Sequence, residues 1–242
     1  MMTSTDLTLR PTRDSNVIAV VERLELGEPE VAPAPAGPQP PNRVARRTDE
    51  QALVLPAVAD RVRLWRILPG FRGAVLLASR DHNRLAVYSR FDAGVGTAPA
   101  VLEPGDPLDV PARVLDRRAY DLVWRDGNEN PTVISPRHTP VVHFGLFTVL
   151  DDRADALLDR VAATAPAALA TPGLRTVNFH RSHDGQRLIN VGTWSGFDQF
   201  HLLLAQPGFK TGEKYWEGLA TFENDYFDVV GVVSGQERAV AR

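Results

Sequence analysis

Between His180 and Trp194 the chain reads HRSHDGQRLINVGTW, and two of its side chains have the chemistry to act together. Asn190 carries an amide that gives and accepts hydrogen bonds, and Trp194 carries one N–H donor on a broad apolar face. A β-hairpin turning at Asp184-Gly185 sets Leu188, Asn190, Gly192 and Trp194 on one face, opposite Arg181, Phe179, Val177 and Arg175 of the neighbouring strand. Asp184-Gly185 suits a type I′ turn, which needs positive φ at both central residues, and that register pairs His183 with Gln186 and Phe179 with Asn190. At about 3.3 Å per residue, Asn190 and Trp194 then stand roughly 13 Å apart, within reach of one flat polycyclic molecule.

Other chemistries fit less well. His180 and His183 fall on opposite faces of a strand and its turn, and no third ligand accompanies them, so no metal site is expected. Ser182-His183-Asp184 is contiguous, and contiguous residues cannot orient one another as a nucleophilic triad. The chain has no cysteine, which removes disulfides, thiolate nucleophiles and iron–sulfur clusters. A formal charge of −3 offers no cationic field for a nucleic acid or an anionic membrane. With no apolar run of signal-peptide or membrane-spanning length, the expected location is the cytoplasm, and the expected partner a small molecule.

The elements that must position these residues come in two similar sets. In the first, NVIAVVERLEL reads as a strand, TDEQALVLPAVADRVRLWRILPG as a helix stopped by Pro69-Gly70, and FRGAVLLASRDHNRLAVYSRF as a hairpin. The Pro- and Ala-rich stretch 27–47 interrupts this set as a loop or linker. In the second, VVHFGLFTV is a strand, Asp151-Asp152 a helix start, RADALLDRVAATAPAALA a helix ending near Pro172-Gly173, and the opening segment the hairpin. Each set closes on a strand, AYDLVWRD and YFDVVGVV. A second helix is expected before the latter, over SGFDQFHLLLAQPGF and on through EKYWEGLA; its counterpart at 95–115 holds too many prolines to be a good helix.

A shift of 103 places Pro172, Gly173, Arg175, Ser182, Asp184, Arg187 and Leu188 on Pro69, Gly70, Arg72, Ser79, Asp81, Arg84 and Leu85 without a gap. These identities argue for a duplication. The expected fold is α+β: two ferredoxin-like β-α-β-β-α-β repeats, at 14–130 and 138–236, pairing antiparallel sheets into an α/β barrel as an intramolecular pseudo-dimer. Under the same shift Asn190 falls on Val87 and Trp194 on Phe91, so one pocket is expected, in the second half.

The segment GLRTVNFHRSHDGQRLINVGTWSGFDQFHLLLAQPGF resembles the antibiotic biosynthesis monooxygenase family of dimeric α/β barrels. The carriers are Pro-Gly before the strand, the HRS-x-DG turn, Asn four before Trp, and the segment after it. The resemblance covers about the last hundred residues, and reaches the first half only through the repeat. It implies oxidation by O2 of an anthrone- or hydroquinone-like aromatic polyketide without flavin, haem or metal, with Asn190 and Trp194 as the catalytic positions. His143, Phe147, Val177, Phe179, Phe200, His201 and Tyr215 are the expected substrate-binding residues, and His143 or His201 the natural base near neutral pH. The chain departs from relatives at Gly145, where many carry Asn, and at Phe200, often Tyr. Alternatives are a polyketide cyclase, a ligand-binding or scaffold protein, and a haem-degrading relative with His201 as iron ligand. Association of two pseudo-dimers stays open.

Overall fold

A computed structural model describes residues 6–9, 17–26, 49–94, 112–127, 129 and 131–235. The linker 27–47 and most of the proline-rich stretch 95–115 lie outside the described residues.

Eight strands close into one antiparallel barrel. The first half supplies β2 (Val17–Leu26), β3 (Phe71–Ser79), β4 (Arg84–Asp92) and β5 (Ala112–Gly127). The second supplies β7 (Val141–Val149), β8 (Leu174–Ser182), β9 (Arg187–Trp194) and β10 (Ala220–Ser234). Around the ring the order is β10-β3-β4-β2-β5-β8-β9-β7, with β7 pairing back to β10. Within each half this is the ferredoxin-like order, and the seams are β3 with β10 and β5 with β8. A two-stranded ribbon of β1 (Leu7–Leu9) and β6 (Thr132–Ile134) packs Leu7 and Ile134 against the barrel interior.

Helix α1 (Asp49–Leu64) lies outside the first half and α2 (Ala154–Leu169) outside the second. Each buries one stripe at helical spacing: Val54, Val58 and Val62 in α1; Leu157, Val161, Ala165 and Ala168 in α2. The strands alternate accordingly. On β9, Ile189 and Val191 face the barrel interior, while Leu188 and Trp194 face α2.

The duplication is written in hydrogen bonds as well as in sequence. At the first hairpin Ser79 Oγ donates to Asp81 (2.7 Å) and accepts from Arg84 N (2.8 Å). At the second, Ser182 Oγ donates to Asp184 (2.6 Å) and accepts from Arg187 N (2.9 Å). The Asp92 amide bonds to Gly70 O and the Ser195 amide to Gly173 O, both at 2.8 Å and both at the 103-residue offset.

Four details differ from the sequence reading. The second hairpin turns through four residues: Gly185 takes positive φ (72°) but Asp184 does not, so the turn is not type I′. A bulge between Leu174 and Thr176 pairs Trp194 with Leu174, and turns Arg175 outward to His138 O (2.6 Å). Asp151 and Asp152 form a left-handed turn (φ 45° and 57°) ahead of α2. The expected second helix of the second half is a 3-10 segment, Phe200–Ala205, followed by turns to Leu219. Pro207 and three glycines in positive φ, Gly208, Gly212 and Gly218, break it.

Candidate active site

The 195–219 segment lies over the outer face of the second half-sheet beside α2, and between them is a cavity with about 690 Å³ of empty space, part of it open to solvent. Its walls are mostly aromatic and aliphatic, and all of its described lining residues come from the second half. Eight of the nine residues expected from sequence line it: Asn190, Trp194, His143, Phe147, Val177, Phe179, Phe200 and Tyr215.

His201 does not. Its side chain is exposed, with Nδ1 2.9 Å from the carbonyl of Asp198, because the 3-10 turn points it away from the sheet. Neither a base in the cavity nor an iron ligand there can come from His201.

Three buried polar atoms on the cavity wall have no hydrogen-bond partner among the described residues: Trp194 Nε1, His143 Nε2 and Tyr226 Oη. Leaving such groups unpaired costs about 1–3 kcal/mol each, and three of them on residues that line one cavity make it the candidate site. Asn190, also on the wall, adds a further donor. Its Oδ1 accepts from the backbone amide of Asn178 (3.0 Å), and no described residue accepts from its Nδ2.

Tyr226 and Asn224 are cavity residues that sequence reasoning missed. Both lie on β10, which pairs Tyr226 with His143 and Asn224 with Gly145. The Tyr226 ring stacks on His143 (centroids 4.8 Å apart, planes 20°) and meets Phe200 edge-on at 4.6 Å. A phenol is therefore present beside Phe200 after all, carried by a different strand. The available signal was the alternation Phe222, Asn224, Tyr226, with an Asn inside a strand, where it is disfavoured. Gly145 lies between Asn224 and Asn190 on neighbouring strands, and a Cβ there would sit 3.2 Å from both the His143 and the Phe222 ring.

Burial pulls the His143 pKa down to about 3, so its imidazole is neutral near pH 7. Burial raises the Tyr215 and Tyr226 phenols, which stay protonated. The cavity thus offers neutral donors and an imidazole that is a weak base in the empty site. His180, in the barrel interior, is pulled down to about 4, chiefly by burial. In the unfolded chain both histidines bind protons below about pH 6.5, whereas the fold holds them neutral. Stability from this source is complete above that pH and falls as pH drops toward 4. Denaturant midpoints should fall between about pH 7 and 4.5, less steeply in His143→Phe.

The first half carries the same framework with other residues at the positions that line the cavity. Where the second half has Asn190, Trp194, His143 and Tyr226, the registers place Val87, Phe91, Val20 and Ala119. The first three pack with α1 in one apolar cluster. At the place of Gly145 and Asn224 stand Glu22 and Arg117, an ion pair (Arg117 Nε to Glu22 Oε1, 3.1 Å) to which Arg61 of α1 adds a second guanidinium.

Among the described residues no helix is long and apolar enough to cross a membrane, and no group of three or more His, Asp or Glu is placed to hold a metal. The sequence matches no protein-family model and no curated protein. Among solved structures the chain resembles an anthrone oxidase-like protein, 11% identical over 98% of this chain and 99% of that one, with a TM-score of 0.67. It also resembles a monooxygenase candidate from Fusobacterium nucleatum, 10% identical over 90% and 94%, with a TM-score of 0.56. SnoaB, a cofactor-independent oxygenase from Streptomyces nogalater, aligns with 42% of this chain and 98% of its own at 25% identity and a TM-score of 0.32. The first two likenesses show that the chain shares their fold.

Proposed function

We propose that the second-half cavity oxidises an anthrone- or hydroquinone-like aromatic polyketide with O2, the substrate itself supplying the electrons. The observation that carries this reading is the set of unpartnered donors, Trp194 Nε1, Tyr226 Oη and Asn190 Nδ2, on a wall otherwise mostly aromatic and aliphatic. A polycyclic phenol fits the rings, and its ionised oxygens meet the donors. Such an anion passes an electron to O2, and the resulting carbon–oxygen bond leads to a hydroperoxide. For an anthrone, the methylene carbon loses two hydrogens and gains one oxygen as a carbonyl, and the other oxygen leaves as water. The protein contributes orientation, exclusion of water and stabilisation of the substrate oxyanion and of the peroxide. His143 adds a neutral imidazole within the same wall.

Because no strong base lines the cavity among the described residues, the rate should follow ionisation of the substrate. Across a series of substrates of differing phenol acidity, the rising limb of kcat/KM against pH should move with each substrate's own pKa.

The test is oxygen consumption by metal-stripped, flavin-free protein with a reduced anthrone or naphthohydroquinone, beside Asn190→Ala and Trp194→Phe. Consumption that depends on both residues supports the oxygenase. Folded protein inert across such a panel would leave a cyclase or a binding protein on this fold.

A further inference from the structure

Strands β8 and β9 pair at Thr176 with Thr193 and again at Phe179 with Asn190, but the backbone ladder is broken between those points. Two side-chain amides stand in the gap. The Asn178 backbone N–H donates to Asn190 Oδ1 (3.0 Å), and Asn178 Nδ2 donates to the carbonyl of Val191 (2.7 Å) and to Thr176 Oγ1 (3.1 Å). In the first half the equivalent strands run through the same positions unbroken, with Ala74, Val75 and Leu76 opposite Ser89, Tyr88 and Val87.

The inserted amide is held from the barrel interior. Thr132 Oγ1 donates to Asn178 Oδ1 (3.1 Å) and accepts from Arg125 Nε (3.0 Å). His180 Nδ1 lies 3.0 Å from the Asn178 carbonyl, which can only accept, so Nδ1 carries the proton and Nε2 accepts from the Tyr88 hydroxyl at 2.9 Å. Tyr88 belongs to β4, in the first half. Asn178, His180 and Asn190 correspond at the 103-residue offset to Val75, Leu77 and Val87. The first half therefore lacks all three polar members together.

We infer that Tyr88, His180 and Asn178 are positioning residues: through this buried chain the first half holds the ladder open and fixes Asn190 Oδ1, so that Nδ2 points into the cavity. An asparagine held by one oxygen presents its two N–H bonds in a set direction, and preorganisation of that kind is what a site for developing negative charge requires. The consequence for turnover rests on the oxygenase reading; the geometry of Asn190 does not.

The test uses the full chain with Asn178→Val, Tyr88→Phe and, as a control, Tyr120→Phe, another buried interior tyrosine, whose hydroxyl has no partner among the described residues. The first readout is the Asn190 side-chain N–H pair in a nitrogen–proton correlation spectrum, assigned by its loss in Asn190→Ala. It should move in Asn178→Val and in Tyr88→Phe and stay in Tyr120→Phe. The second is kinetic: Tyr88→Phe should lower kcat about tenfold with KM within about twofold, and should lower it no further in an Asn190→Ala background. An unmoved Asn190 resonance in Tyr88→Phe overturns the inference whatever the activity. Moved resonances in a protein that consumes no O2 would retain the positioning chain and reject the oxygenase. Should Asn178→Val fail to fold, the isosteric Tyr88→Phe decides alone.

Discussion

Oxygen uptake in the double variant Asn190→Val/Trp194→Phe is expected to fall by at least about a hundredfold, the scale on which removal of a single oxyanion donor acts, while the protein stays folded. The replacements are those the first half already carries at Val87 and Phe91, packed on the same framework against α1. Two stability effects oppose each other. Losing Asn190 Oδ1 strands the Asn178 amide, at about 1–3 kcal/mol. Losing the indole removes a buried N–H that has no partner, but leaves a void. Thermal melting and O2 uptake, measured on the same preparation, separate the outcomes. Uptake within a few-fold of wild type would mean that the amide and the indole only pack.

A second large effect is expected at Gly208, where the covering segment meets α2. Its φ is +84°, and an added Cβ would lie 2.3 Å from Thr164 Cγ2. The backbone strain is about 1 kcal/mol and the overlap a further 1–3 kcal/mol. Gly208→Ala relieves both most cheaply by lifting the segment, which carries Leu203, Phe209 and Tyr215 over the cavity. The Gly208 carbonyl also accepts from the Tyr215 amide (2.9 Å), so the displacement spreads. KM for an aromatic substrate should rise at least about tenfold, with global melting little changed. Adding Thr164→Ala removes the obstructing methyl and should recover most of the affinity. If the double variant binds no better than Gly208→Ala, the clash is not the cause.

The sequence made the framework legible because the framework is periodic. Alternation gave the strands, the stop at Pro69-Gly70 bounded the first helix, and the 103-residue offset anticipated turns that share their hydrogen bonds. The hairpin register, with Phe179 opposite Asn190, put Val177, Phe179, Asn190 and Trp194 on the face that lines the cavity. Errors gathered where single residues override a period. One bulge residue shifted Trp194 from Arg175 to Leu174, and three left-handed glycines replaced a helix with turns. The absence of that helix sent His201 outward. Tyr226 went unseen because its role depends on β10 lying beside β7, a pairing between residues far apart in the chain. The neutrality of His143 is likewise a property of what surrounds it.

The two seams of the barrel, β3 with β10 and β5 with β8, join strands of a single polypeptide. Where two identical chains build such a ring, closure is bimolecular, and every substitution appears on both sides of the symmetry axis. Here closure is unimolecular, so dilution cannot open the ring. Its two sides are also free to differ. Glu22 can fill the position opposite to Gly145 in the repeat, and Tyr88 can brace a site that its own half has lost, without either change being imposed on the other side. The expense is kinetic: Ser79 must find Phe227 across most of the chain, and a ring closed by such distant partners is expected to form slowly.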